Sequence, residues 1–288
     1  MTDAVREEIE GVDVVRYADL DPTVDVRAIA GVRIYDVGQG DAICVLDHEG
    51  KPFLQIDYGG KFGHPFRARG AAAQRMPLDG VRLMMLTHWD EDHWCSAAKN
   101  KATLDLPWLV PRQRTSPRAA RFSATVRGIH CIPESDVHTS IAFEAVNRDC
   151  ILFEKIDPMP AADQIEDCNR TGVAFAIVNR KKEAILLPGD APYDKVKLFG
   201  TLQANGVKLR AIVAFHHGSR KHWTQATRDH LRAWKGAAGT RCRIFSYGEG
   251  NTYDHPTRGN YDGLRGVWTT LETPDLRMAG RHHVDILF

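Results

Sequence analysis

Four side chains able to bind divalent cations lie within six residues of one another, in Thr87-His88-Trp89-Asp90-Glu91-Asp92-His93-Trp94. They are His88, Asp90, Asp92 and His93, and they follow directly on a near-continuous apolar run at 81–86. Such a run reads as a strand buried on both faces. A turn at its end lets imidazoles and carboxylates converge, and both are standard ligands for zinc and related divalent ions. A solvated acidic loop with incidental histidines is the bland alternative, and the density of ligand types argues against it.

The same chemistry recurs at other strand ends. Ile185-Leu-Leu-Pro-Gly-Asp190 is an apolar strand ending in Gly-Asp, and Ile212-Val-Ala-Phe-His216-His217-Gly218-Ser219 ends in a histidine pair. Asp57 follows 53–56, and Phe245-Ser-Tyr-Gly248 leads to Asn251, Tyr253 and His255-Pro256. One Asp or His at a strand end is usually a cap or a satisfied surface group. Five such ends sharing metal-suited residues are harder to dismiss.

Positioning these residues requires a frame of strands. The pattern predicts strands at 32–37, 42–46, 53–56, 81–86, 141–146, 151–156, 173–178, 184–187, 211–215, 243–247 and 284–288. Helices are predicted at 93–101, 117–127, 192–204, 224–234 and 257–267. Two sheets covered outside by helices satisfy this order. Residues 1–30 read as an extension before a single domain at 31–288. Lys plus Arg at 38 against Asp plus Glu at 37 leaves a net charge of +1, so any pull on phosphates must be local. The six cysteines form no Cys-x-x-Cys pair, and no run reaches the roughly 18 apolar residues of a membrane span. The start of the chain has no apolar signal region, so a reduced cytoplasm is expected.

Taken in order, Asp36-Val-Gly-Gln-Gly-Asp41, Asp57-Tyr-Gly-Gly60, His88-x-Asp90-x-Asp92-His93, Gly189-Asp190 and His216-His-Gly-Ser219 resemble the metallo-β-lactamase superfamily. Within it they are most similar to the branch typified by the soluble domain of the ComEC/Rec2 DNA-uptake proteins, as is Asn251 to Pro256. The resemblance spans about 31–288 and implies a four-layer αββα sandwich, an α/β fold with the site at one edge of the sheets. It implies two divalent metal ions, zinc foremost, with manganese or iron also suited because Asp90 replaces the commoner middle histidine. His88 and Asp90 would bind the first ion and Asp92 and His93 the second. Asp190 would bridge them, and one of His216 and His217 would complete the second site. His217 is favoured as that ligand and His216 as a neighbour facing substrate, though periodicity does not decide between them. Asp57 would support the ligands from behind. Two departures stand out. Trp94-Cys95 replace the usual glycines, and Asp157-Pro158 stand where many relatives have His-Pro. Asp157 or water is left to fill the first ion's remaining position, with His130 and His138 as weaker candidates.

The implied activity is attack of metal-activated water on a phosphoester, with nucleic acid or nucleotide as the first substrate class and Asp92, Asp57 and His216 as the catalytic set. Ser219, Arg220, Lys221 and His255 are candidate substrate contacts. Arg112, Arg114, Arg118, Arg121 and Arg127 form a second basic stretch, and three of them, Arg114, Arg118 and Arg121, fall at helical spacing. An ordinary solvated helix is the favoured reading of that stretch. Trp89 and Trp94 offer stacking surfaces, with core packing expected for at least one. Hydrolysis of an ester, thioester or lactam, or a non-catalytic metal-stabilised binding module, are the competing readings.

Overall fold

Short β-branched runs punctuated by glycine and proline become strands here, and most are buried on both faces. A computed structural model describes residues 28–60, 76–144, 149–221, 223–239, 241–248, 255–264 and 266–288. The first sheet carries β1 (Ile29–Tyr35), β2 (Ile43–Asp47), β3 (Pro52–Ile56), β4 (Leu83–Met85), β5 (Pro107–Pro111) and β6 (Gly128–Ile132) in spatial sequence. The second carries β7 (Ser140–Glu144), β8 (Cys150–Lys155), β9 (Val173–Val178), β10 (Glu183–Leu187), β11 (Lys208–Val213), β12 (Arg241–Phe245) and β13 (Trp268–Glu272). The last strand, β14 (His283–Leu287), returns to the first sheet antiparallel to β1. Each sheet is antiparallel on one side and parallel on the other: β3 to β6 run together, and so do β10 to β13.

Strand alternation explains the layers. Ile185 and Leu187 of β10 meet Leu54, Ile56, Leu83 and Met85 between the sheets. Ala184 and Leu186 face the other way, onto Leu198, Phe199 and Leu202. On the far side Met84 packs with Trp94, Trp108 and Phe122. Helices flank both outer faces: α1 (Lys101–Leu104), α2 (Pro117–Ser123), α3 (Cys168–Thr171), α4 (Lys197–Ala204), α5 (Gln225–Ala233) and α6 (Thr273–Met278). The two mixed sheets flanked by helices make a four-layer α/β sandwich, as expected.

Several boundaries differ. β1 begins at Ile29, so the extension expected at 1–30 gives its last residues to the strand, and 1–27 lie outside the described residues. The end of the predicted strand 141–146 also falls outside them. The helix expected at 93–101 is two 3-10 turns, Glu91–His93 and Ala97–Lys99, because Trp94 and Cys95 are buried between them. The helix at 192–204 breaks at Val196, which is extended (φ −89°, ψ 106°). That at 257–267 shrinks to the turn Arg258–Tyr261, with Gly263 and Gly266 left-handed after it. Strands β5, β6 and β13 escape sequence reading. Prolines bracket β5, and β13 is a half-exposed edge strand without an apolar run.

Candidate metal centre

The C-terminal ends of parallel neighbours β3 and β4 face those of β10, β11 and β12, and each end delivers part of one site. Asp57 follows β3, the His88–His93 segment follows β4, Asp190 follows β10, and His216 and His217 follow β11. All of these ligand-type residues except half-exposed Asp90 are at most part-exposed, with His88, His93, Asp190 and His217 buried.

The cluster converges on Asp190, and the ligand atoms of His88, His93 and Asp190 all lie within 4.8 Å of one another. Asp190 Oδ2 lies 3.6 Å from His88 Nε2 and 3.7 Å from His216 Nε2, and Asp90 Oδ2 is 3.6 Å from the same His88 nitrogen. Asp190 Oδ1 lies 3.5 Å from His93 Nε2 and 3.7 Å from His217 Nε2, and Asp92 Oδ2 is 3.5 Å from that His217 nitrogen. These gaps are long for hydrogen bonds. Two ligand atoms each about 2.1 Å from one tetrahedral ion stand about 3.4 Å apart, so the gaps suit atoms that share a cation. His88 Nε2, His93 Nε2, His217 Nε2 and Asp190 Oδ1 are buried without a hydrogen-bond partner. Buried polar atoms are nearly always paired, so four orphans aimed at common points fit divalent ions.

The other ring nitrogens are held in place. Thr87 Oγ1 donates to Asp57 Oδ2 (2.7 Å), so towards His88 Nδ1 (3.0 Å) it is an acceptor, and His88 is protonated on Nδ1. His93 Nδ1 donates to Asp57 Oδ2 (2.8 Å) and His217 Nδ1 to the Ser246 carbonyl (3.0 Å). Each Nε2 lone pair is thereby turned to the centre. His216 Nδ1 lies 3.2 Å from Asn169 Nδ2, and turning that amide end for end would instead present its oxygen to an Nδ1–H and leave Nε2 free, as in the other rings.

Glycines let the loops close. A Cβ on Gly40 would sit 1.9 Å from the Asp92 carbonyl oxygen, and one on Gly59 2.0 Å from it. The Gly60 N–H donates to that same carbonyl (2.9 Å). The two glycine motifs thus form the seat of the Asp92 turn. His216 and His217 both hold left-handed backbone (φ 48° and 55°), which sends consecutive rings to different oxygens of Asp190.

The cluster opens into a cavity of about 430 Å³. Lys221 and His255 line it. Arg220 is exposed and outside the lining, and Ser219 is buried with its Oγ accepting the Lys221 amide, so neither sits where the sequence suggested. Asp157 is not brought to the site: Arg170 holds its Oδ2 at 2.7 Å and 2.9 Å. His138 faces Glu154, and His130 stays on β6. His216, favoured from sequence as a neighbour facing substrate though not separated there from His217 as a ligand, brings its Nε2 to the same Asp190 oxygen as His88. Both tryptophans are core: Trp89 donates to the Pro111 carbonyl and Trp94 stacks on Phe122 at 4.8 Å. Arg114 precedes α2 and straps 160–166, its backbone N–H on Glu166 and its guanidinium on the Pro160, Ala161 and Gln164 carbonyls. Sequence reading missed Asn169, Thr87 and Asp41. Asp41 lay in a quoted motif, yet only the structure shows its buried Oδ1 3.8 Å from His217. Asn251, Tyr253 and His222 lie outside the described residues.

With this geometry, the sandwich is a metallo-β-lactamase fold. Among solved structures, unliganded yeast PDE1 is similar over 90% of this chain and 100% of its own, with a TM-score of 0.50 at 10% identity. The metallo-β-lactamase fold protein YhfI from Bacillus subtilis is similar over 84% of this chain and 96% of its own (TM-score 0.48, 8% identity). A long form RNase Z from yeast is similar over 99% of this chain and 47% of its own (TM-score 0.45, 11% identity). No protein-family model and no curated protein matches by sequence. At such identities the likeness establishes the fold alone.

Charge in the metal-free cluster predicts a pH effect. Burial and the neighbouring His93 disfavour a charged His88, yet Asp190 and Asp90 outweigh them and push it up to about 9. His217, buried but facing Asp190 and Asp92, also rises to about 9, and His93 rises for the same reason beside Asp190 and Asp57. At neutral pH these rings hold protons that a cation must displace, so affinity climbs with pH and is lost on acidification. Zinc titration in weak buffer at about pH 7 is expected to release protons, and the release should fade above about pH 10. Proton-neutral loading at pH 7 would contradict this charge assignment.

Proposed function

We propose that the chain is a metal-dependent hydrolase of the ComEC/Rec2-like kind that cleaves phosphoesters at a dinuclear centre. The observation that carries the reading is the division of His88, Asp90 and His216 from Asp92, His93 and His217 across the two oxygens of Asp190. Those residues would hold two divalent ions, zinc first, with manganese or iron suited by the carboxylates. When bound, such ions lower the pKa of water and offset charge on the phosphoryl oxygens.

The chain's own groups do the rest. Asp57 fixes His93 and, through Thr87, His88. Asn169 fixes His216. Asp90, half exposed at the mouth, and Asp92 carry the negative charge that neutralises the ions. Lys221 is the Lys or Arg side chain among the described residues lining the cavity, and it draws in an anionic group beside His255. No helix among the described residues is long and apolar enough to cross a membrane, and a cytoplasmic location is part of this reading.

Lys221→Ala is expected to raise KM for a phosphodiester several-fold at unchanged metal content, with a weaker salt dependence than wild type. Equal KM and equal salt profiles would make Lys221 an ordinary surface charge. The function itself is tested by assaying metal-loaded protein on phosphodiesters, phosphomonoesters, thioesters and lactams. Turnover of phosphoesters above the rest supports the reading. Bound metal with no turnover of any class would favour a binding module.

A further inference from the structure

A second cavity, of about 440 Å³, adjoins the first through Glu91, which lines both. The two differ sharply in charge. Asp90, Glu91, Asp92, Glu166, Asp167 and Asp190 line the first, against Lys221. Lys99, Arg118 and Arg121 line the second, with Glu91 as its carboxylate. Its floor includes the Trp94–Phe122 stack and Leu104, so the cations stand on packed core. Arg118 and Arg121 lie one turn apart on α2, as their spacing predicts. Arg118 gives one N–H to Glu91 (2.9 Å) and stays 62% exposed, and Arg121 has no ion-pair partner among the described residues. Glu91 sits between Asp90 and Asp92, so a molecule held at the centre reaches the cationic groove by passing the Glu91–Arg118 pair.

We propose that this groove holds a phosphate flanking the scissile one, which makes a short single-stranded oligonucleotide a better substrate than an isolated diester. The proposal rests on the phosphoesterase reading of the centre. Charge supports it: the carboxylates of the metal cavity are matched by the ions they would hold and by a single lysine, whereas Lys99, Arg118 and Arg121 line the groove next to it against Glu91, and cationic grooves track nucleic-acid backbones.

The test compares wild type with Arg118→Glu/Arg121→Glu, both metal-loaded, and with Arg121→Glu alone, which leaves the Glu91 pair intact. On bis(4-nitrophenyl) phosphate the variants should match wild type within about twofold, while on hexathymidylate kcat/KM of the double variant should fall about tenfold or more, mainly in KM, with a smaller fall for Arg121→Glu. Fluorescence anisotropy with fluorescein-labelled hexathymidylate should show a matching rise in Kd and a shallower salt dependence. Equal Kd for wild type and variants overturns the groove. If wild type cleaves neither compound, the phosphoesterase reading fails, and the anisotropy still decides whether the groove binds phosphates.

Discussion

Replacing Asp190 with alanine is expected to strip the protein of both ions and to lower phosphoester turnover by about a thousandfold or more, the scale of the several kcal/mol such ions contribute. The reason lies in the distances. One carboxylate oxygen faces His88 and His216, the other His93 and His217, all within 3.5–3.7 Å. Without that carboxylate the four imidazoles lose the one group they share, since Asp90 reaches only His88, Asp92 and Asp41 only His217, and Asp57 sits behind His93 on its other ring nitrogen. Elemental analysis after dialysis checks the outcome directly. Retention of one full equivalent in the variant would mean that Asp190 serves a single ion.

The second large effect is expected at Asp57, which need not touch a metal to matter. Its Oδ1 accepts the Thr87 N–H (2.8 Å), and its Oδ2 accepts both the Thr87 hydroxyl and His93 Nδ1–H. Asparagine tolerates the left-handed backbone at this position (φ 53°), so Asp57→Asn should fold. Its amide, however, must set an NH₂ group against the Thr87 N–H or against His93 Nδ1–H. The first leaves buried donors facing each other; the second favours the His93 tautomer with a proton on Nε2, the atom turned to the centre. A loss of about 10–100-fold in metal affinity or turnover is expected. Thermal melts with circular dichroism separate this from misfolding, and wild-type turnover in Asp57→Asn would remove Asp57 from the account.

Much of this centre was legible because its ligands sit in consecutive clusters behind apolar strands. The run at 81–86 and the Gly-Asp after 185–187 announce both the sheet and the side chains it presents. The two-sheet frame was legible for the same reason, since strands buried on both faces leave nearly unbroken apolar runs. Other assignments depended on backbone conformation that spacing does not encode. Left-handed φ at both His216 and His217 decides which ring meets which oxygen of Asp190, and Asp157 stays away from the cluster because Arg170 holds it. Arg114 shares a helical spacing with Arg118 and Arg121, yet Pro117 starts the helix after it, freeing it to strap the segment that carries Glu166. Asn169 gave no signal at all: a single amide in a short helix becomes meaningful only when His216 is beside it.

Anomalous diffraction from crystals of the zinc-loaded protein tests the dinuclear centre most directly. Two zinc peaks about 3.5–4 Å apart are expected, as in other two-metal sites. One should contact His88, Asp90 and His216, the other Asp92, His93 and His217, with one Asp190 oxygen on each. A single peak, or two peaks with His216 bound to neither, would contradict the account.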